Sequence, residues 1–468
     1  MTSAVHHAEA LTEAGQALAE GGQAWTAGDV PRAAAAFGRA ALLAPTMAQA
    51  HGNLGVALRR LGRLDAALTS YGRALALTPD DPALHSNMGN ALREMGMLEQ
   101  AEAHLARAHA ARPDEASFTY NLALVIRDRR RHAEARQMMA DLARAHPGNA
   151  DYAWDLALTD LYLTDYARGF AGYEARWGLA RTPPRDLPGE RWRFGAAIAG
   201  KTVLIAAEQG FGDALQFARF LPVLARQGAK VIVECQPELM ALFAAIPGIT
   251  QVVEKHGALP AYDLWAPMMS LAWLLGVTWQ TLPQTLPTPP AYLTAPQPLA
   301  QPLGRPPGTV LNVGLIWAGK TTPRDRSWPL EKLLPLMEDP RAAFWSLQMG
   351  DRAGDLARLG MNTMMRDLAP RLHSFAHTAG AMAELDLIIT IDTSAAHLAA
   401  ALGRPTWILL RTVSDWRWLD EPAHCAWYPT ATLFRQPDPA DFTTPVEQVR
   451  QALTQMLDKR QLPNSGAL

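Results

Sequence analysis

Residues 48–81 read AQAHGNLGVALRRLGRLDAALTSYGRALALTPDD, and residues 82–115 read PALHSNMGNALREMGMLEQAEAHLARAHAARPDE. Laid over each other, the two stretches share a glycine at the eighth position (Gly55, Gly89) and alanines at the twentieth (Ala67, Ala101) and twenty-seventh (Ala74, Ala108). The register extends outward to residues 14–47 and 116–149. Gly21 and Ala123 take the eighth position, Ala33 and Ala135 the twentieth, and Ala40 and Leu142 the twenty-seventh. Pro45, Pro79, Pro113 and Pro147 stand 34 residues apart. A period of that length marks a helix-turn-helix unit that buries its apolar face only by stacking on copies of itself. The small eighth residue lets the two helices of a unit approach. Gly28, Gly62 and Gly96 mark the turn between them, and the proline stops the second helix.

This pattern resembles the tetratricopeptide repeat over about a third of the chain. Residues 150–177 (ADYAWDLALTDLYLTDYARGFAGYEARW) read as a decayed fifth unit that caps the stack, so the expected α-solenoid spans residues 1–180. Such an array is a handle for another polypeptide. The sixth position of successive units is Asn53, Asn87 and Asn121, followed by Asp155. Stacking brings equivalent positions into line along the inner helices of a concave groove. An amide both donates and accepts, so the row suits the backbone of an extended protein acceptor, and it equally suits hydrogen bonds between neighbouring helices. At these residues the stretch resembles the repeat array of the nucleocytoplasmic O-GlcNAc transferases.

A length of 468 residues exceeds a single core and predicts two or three domains. A formal net charge of −2 gives no reason to expect nucleic acid or an anionic membrane as partner. The cluster Arg127, Arg129, Arg130 and Arg131 reads as a solvated helix end. Cys235 and Cys425 are solitary, which points away from a zinc site or a disulfide framework. The first residues lack the basic-then-apolar pattern of a signal peptide, and no apolar run reaches membrane-spanning length. The expected setting is cytoplasmic, without integral membrane association.

Beyond Trp177 the texture changes to a proline- and charge-rich linker (181–200) and then to α/β alternation. Residues 202–207 (TVLIAA) read as a buried strand, followed by a glycine turn, a helix and a second strand, which is one parallel β-α-β unit. A stretch with nine prolines (282–308) separates this first lobe (201–300) from a second (301–468), whose strands fall near 310–318, 344–348, 387–391 and 406–410. Two similar lobes imply a cleft, with ligands at the carboxyl ends of the strands.

Three places there carry chemistry. At Gly210-Phe211-Gly212-Asp213, glycines allow close backbone approach to a ligand, and the aspartate either caps the helix or acts as a base on an acceptor hydroxyl. At residues 386–405 (DLIITIDTSAAHLAAALGRP) a strand ends in Asp392, Thr393 and Ser394 before a helix that starts near Ala395. Its free N–H groups and hydroxyls form a phosphate cradle beside His397, unless Thr393 or Ser394 only caps the helix and His397 is core. Across residues 314–330 (GLIWAGKTTPRDRSWPL), Lys320, Arg324 and Arg326 follow a strand end. They could neutralise a diphosphate or belong to a charged surface loop. Further on, Trp416, Arg417 and Trp418 offer planes on which a nucleotide base could stack, with core packing as the alternative.

In that order, EQGFGD, RSWPLEKL and DTSAAHLAAALGRP make residues 201–453 similar to the heptosyltransferase-like glycosyltransferases of family nine. The resemblance implies the two-lobed GT-B fold, a nucleotide sugar as substrate, no cofactor and no metal. It implies Asp213 as base, Arg326 as the leaving-group cation, and Thr393, Ser394 and His397 around the donor phosphates. It also implies a C-terminal helix (444–457) that crosses back onto the first lobe. Ser394 stands where the family has glycine. YARGFAGYEARW, SDWRWL and WYPTATLFRQ further resemble bacterial proteins that fuse tetratricopeptide repeats to this lobe pair. That likeness implies transfer of a sugar to a protein, flagellin-type acceptors included. The alternatives are a glycolipid acceptor and a non-catalytic scaffold.

Overall fold

The computed structural model describes residues 2–182, 184–185, 187–321, 325–420 and 424–461. The chain forms two compact units, Met1–Leu156 and Ala157–Leu468. In the first, helices pair in chain order: α1 (Thr2–Thr26) with α2 (Val30–Leu43), α3 (Ala48–Arg60) with α4 (Leu64–Leu77), α5 (Pro82–Glu94) with α6 (Leu98–Ala111), and α7 (Ala116–Asp128) with α8 (His132–Ala145). The period has a packing cause. A Cβ on Gly21, Gly55 or Gly89 would lie 2.4, 2.5 or 2.6 Å from the side chains of Phe37, Tyr71 or Leu105. Each of those large residues follows its small partner by the same interval. In the fourth unit Ala123 packs with Met139, whose flexible side chain yields to the extra methyl.

The turn between helices also keeps its beat where the glycine does not. Gly28, Gly62 and Gly96 have positive φ (79°, 73° and 81°), and so do Arg130 (64°) and Thr164 (60°) at the next two equivalent positions. Ion pairs cross between successive units: Arg59 to Glu94 (2.9 Å), Arg93 to Asp128 (2.6 Å) and Arg127 to Asp155 (2.6 Å). Arg129 and Arg131 pair with Glu102. The basic cluster is therefore largely neutralised within the fold.

The division between units falls inside α9 (Ala150–Tyr162). α10 (Tyr166–Gly172) and the 3-10 turn Tyr173–Gly178, expected as the end of the repeat cap, group with the second unit. There, with Tyr162 at the end of α9, they hold both lobes. The Tyr166 hydroxyl accepts from Trp427 Nε1 (3.0 Å), the Tyr162 hydroxyl donates to Ser414 O (2.6 Å), and buried Arg176 donates to Glu208 (2.9 Å) and Ser270 (2.8 Å).

The first lobe is a parallel sheet of β1 (Glu190–Arg191), β2 (Thr202–Ala206), β3 (Lys230–Cys235), β4 (Ile249–Glu254) and β5 (Leu264–Pro267), in the order β1-β5-β2-β3-β4. The stretch read as a linker thus supplies its edge strand. α11 (Phe211–Phe217), α12 (Leu221–Arg226), α13 (Pro237–Ala244) and α14 (Leu271–Leu274) complete it. The second lobe has β6 (Leu311–Leu315), β7 (Ala342–Ser346), β8 (Met365–Asp367), β9 (Leu387–Ile391), β10 (Thr406–Leu410), β11 (His424–Cys425) and β12 (Tyr428–Arg435), in the order β11-β12-β10-β9-β6-β7-β8. Only β11 pairs antiparallel among these described strands. Its helices are α15 (Asp355–Arg358), α16 (Phe375–Ala383), α17 (Ser394–Ala401) and α18 (Thr443–Gln461). Central strands such as LIITI and TWILL are buried throughout, which is why they read as unbroken apolar runs. The pair is the twin Rossmann-like, GT-B arrangement.

One expectation fails here. α18 does not cross to the first lobe. Val446, Val449, Leu453 and Leu457 enter the core of the second lobe with Leu330, Leu333 and Leu336. No described helix is long and apolar enough to cross a membrane.

Candidate active site

A cleft of about 530 Å³ opens where β2 and β9 end, within the range that small-molecule sites occupy. Gly210, Gly212, Asp213, Lys320, Arg326, Asp392, Thr393, Ser394, His397 and Arg417 all line it. Arg324 lies outside the described residues.

From the first lobe comes the β2–α11 turn. Gly210 is the N-cap of α11, and its N–H donates to Asp213 Oδ2 (3.2 Å), so the aspartate does cap the helix. Its other oxygen, Oδ1, accepts from Arg417 Nη2 at 2.6 Å. Burial raises the Asp213 carboxyl above the usual aspartate range, although Arg417 pulls the other way. Neither Gly210 nor Gly212 has positive φ. Gly212 is small because a Cβ there would sit 3.0 Å from the His397 ring and 3.7 Å from Ser394 Cα. It serves the approach of α11 to α17.

From the second lobe comes the β9–α17 turn. Thr393 occupies the N-cap position with extended backbone (φ −142°, ψ 175°), yet its side chain makes no capping hydrogen bond. Its Oγ1 is buried and has no hydrogen-bond partner among the described residues. A buried hydroxyl without a partner costs roughly 1–3 kcal/mol, so a group that satisfies it would be favoured there. The first N–H groups of α17 add donors and a positive field. His397, in the first turn, is neutral. Burial first, then Arg417 and Arg326, push its pKa down to about 3.

Two cations flank this turn. Arg326 Nη1 donates to Asp392 Oδ2 at 3.0 Å, with its side chain 36% exposed to the cleft side. Lys320 is exposed after β6. Gly319, just before Lys320, lacks the Cβ that would fall 2.7 Å from Thr393 Cγ2. The loop after β6 and the β9–α17 turn are therefore in contact.

Some expectations are corrected. Trp416 and Trp418 are 2% and 1% exposed and do not line the cleft. Trp416 packs among Tyr166, Phe170 and Trp427, and Trp418 stacks on His397 (centroids 5.1 Å, 22° between planes). Arg417 lies over Trp416 (4.5 Å) with its nitrogens committed to Gln216, Asp415 and Asp213, so its plane is not free for a base. In the repeats, Asn121 donates to Ser86 Oγ of the preceding unit (3.1 Å), the inter-helix role. Asn53 and Asn87 are half-buried and have no such partner among the described residues.

The cleft also contains residues that no motif reading singled out. Leu347, Met349, Leu372 and Phe375 form an apolar wall, and Phe375 meets Phe211 across the opening (4.9 Å between centroids). Gln348 shapes the floor: Oε1 accepts from Trp317 N (3.1 Å) and Ala318 N (2.8 Å). Ser374, the N-cap of α16, was the available signal for the loop-to-helix junction that carries Leu372 and Phe375.

Comparison with known proteins agrees with both halves. Residues 57–96 match the TPR repeat family and residues 86–150 the tetratricopeptide repeat family. Residues 344–418 match glycosyltransferase family 9 (heptosyltransferase). Protein FlbA of Caulobacter vibrioides is 26% identical over 304 residues, which is 58% of this chain. The chain spans 50% of that relative's length. Among solved structures, pilF of Pseudomonas aeruginosa (20% identity, 38% of this chain and 79% of that one) has a TM-score of 0.32. TTC0263 of Thermus thermophilus, a thermophilic TPR protein (21% identity, 36% and 93%), also has a TM-score of 0.32.

Proposed function

We propose that this chain, which joins tetratricopeptide repeats to a glycosyltransferase family 9 domain, moves a sugar from a nucleotide-activated donor to a hydroxyl of a protein held by the repeats. The observation that supports the donor site is the β9–α17 turn: an orphaned Thr393 hydroxyl and uncapped N–H groups beside Arg326 and Lys320. That combination suits a diphosphate. Ser394 and His397 add donors, and Asp392 orients Arg326. The base of the nucleotide would lie along Leu347, Met349, Leu372 and Phe375 rather than on Trp416, Arg417 and Trp418.

In the proposed reaction the acceptor oxygen attacks the anomeric carbon as the bond from that carbon to the phosphate oxygen breaks. The proton passes to Asp213, and the charge on the departing diphosphate falls on Arg326 with Lys320. A raised carboxyl pKa makes Asp213 a stronger proton acceptor. The nucleotide sugar enters as substrate, with no cofactor proposed.

The acceptor reading rests on the repeats, with Asn53 and Asn87 carrying amides that have no hydrogen-bond partner among the described residues. A flagellin-type protein is the acceptor class that the resemblance to repeat-transferase fusions favours. A thermal-shift screen of UDP, ADP, GDP, CMP and dTDP, followed by intact mass of co-expressed acceptors, tests the whole. One nucleotide should stabilise the protein, and the acceptor should gain the mass of one sugar. Stabilisation by none would favour a scaffold, and transfer to glycolipid alone would refute the protein acceptor.

A further inference from the structure

The hydroxyl of Tyr428, at the start of β12, lies 2.9 Å from Nδ1 of His397. Tyr428 is 1% exposed, so its proton must find an acceptor inside the protein. Tyr292 is the other neighbour, with its oxygen 3.4 Å away and oriented to donate. Tyr292 also donates to the carbonyl of Leu215 at 3.0 Å, and a carbonyl can only accept. With its one proton on Leu215, the Tyr292 oxygen could accept from Tyr428 only across 3.4 Å, so among the described residues Nδ1 of His397, at 2.9 Å, is the nearer acceptor for Tyr428.

A neutral imidazole has one N–H and one lone pair. If Nδ1 accepts from Tyr428, the hydrogen sits on Nε2. The Cδ2–Nε2 edge of the ring faces Gly212, where a Cβ would be 3.0 Å from Cδ2 and 3.6 Å from Nε2. His397 lines the cleft, and Trp418 stacked on its face holds the ring plane.

We propose that Tyr428 is a positioning residue: it fixes His397 as the Nε2–H tautomer, so that the β9–α17 turn presents a neutral N–H donor to a phosphate oxygen. The purpose, though not the tautomer, rests on reading this turn as the diphosphate site. The hydroxyl thus acts through the imidazole and never meets the ligand. It also bars Nε2 from serving as a base, because the lone pair is turned inward.

Long-range proton–nitrogen correlation spectra of protein labelled with ¹⁵N-histidine report the tautomer directly, with the His397 signals identified by their loss in His397→Gln. The expected result is a protonated Nε2 and a bare Nδ1, with this preference lost in Tyr428→Phe. Calorimetry with inorganic pyrophosphate, UDP, ADP, GDP and dTDP supplies the second readout. Tyr428→Phe should weaken the diphosphate that binds by about tenfold, the scale of one hydrogen bond to a charged group, while its nucleoside binds unchanged. In a His397→Gln background the tyrosine substitution should have no further effect, because an amide N–H needs no tautomer.

A protonated Nδ1 in the unaltered protein overturns the proposal, even if Tyr428→Phe fails to fold. The expected tautomer with undiminished diphosphate binding in Tyr428→Phe overturns its purpose. If no diphosphate binds the unaltered protein, the donor-site reading falls, and the spectra alone decide the assignment of Tyr428.

Discussion

The β2–α11 and β9–α17 turns have the same construction: a parallel strand, a short polar turn and a helix whose first N–H groups face the cleft. They differ in what satisfies the helix. At β2–α11, Asp213 closes back on Gly210 N and is gripped by Arg417, so the positive end of α11 already holds a carboxylate. At β9–α17, Thr393 stands at the cap position without capping, its hydroxyl unpartnered among the described residues. One turn carries its own anion, and the other is the turn proposed to receive one. In the proposed reaction the two parallel-sheet lobes divide the work, the first supplying a base and the second holding the leaving group.

The largest test removes the charge at the closed turn. Asp213→Asn keeps the shape and should lower transfer by about a thousandfold, within the range of general-base loss, with diphosphate affinity unchanged. Folding is checked by thermal melt, and full activity would sink the base assignment. Next comes Arg326→Gln at the open turn. Turnover should fall about a hundredfold, the usual cost of one donor to developing charge, and nucleotide affinity much less. Comparable loss in both would mean that the arginine acts in ground-state binding alone. Thr393→Val is smaller still. It should weaken a nucleoside diphosphate by about tenfold, ~1.4 kcal/mol, while leaving the melting temperature level or higher, since the hydroxyl has no partner to lose. A drop in melting temperature would show that the hydroxyl serves the fold.

The last test reads pH. Burial raises the Asp213 carboxyl and Arg417 lowers it. Arg417→Gln removes the lowering influence, so Asp213 should hold its proton to higher pH. The acid limb of the activity profile, measured on folded protein, should move towards neutrality. A limb that stays in place or moves down would detach it from Asp213.

The repeats were legible because one packing rule recurs four times: a small eighth residue against Phe37, Tyr71, Leu105 and Met139. The end of that array was not. α10 carries on the turn geometry with Thr164 in place of glycine, but Tyr166 and Arg176 are spent on the lobes, an allegiance that only long-range contacts reveal. Cleft residues were found where a strand runs into a polar turn and a helix. Asp213 and Arg417 are 204 residues apart, so no local pattern could pair them. The tryptophans of SDWRWL misled because stacking on a base and packing in a core ask for the same side chain. β12 does not read as a strand, since YPTATLFR has a proline at its second position and mixes buried with exposed positions. With it went Tyr428.

Calorimetric titration of the unaltered protein, Thr393→Val and Asp213→Asn with the nucleoside diphosphate found in the screen tests the contrast most directly. The account predicts binding to the unaltered protein, the same binding to Asp213→Asn, and about tenfold weaker binding to Thr393→Val. Equal binding by all three, or a loss confined to Asp213→Asn, would contradict it.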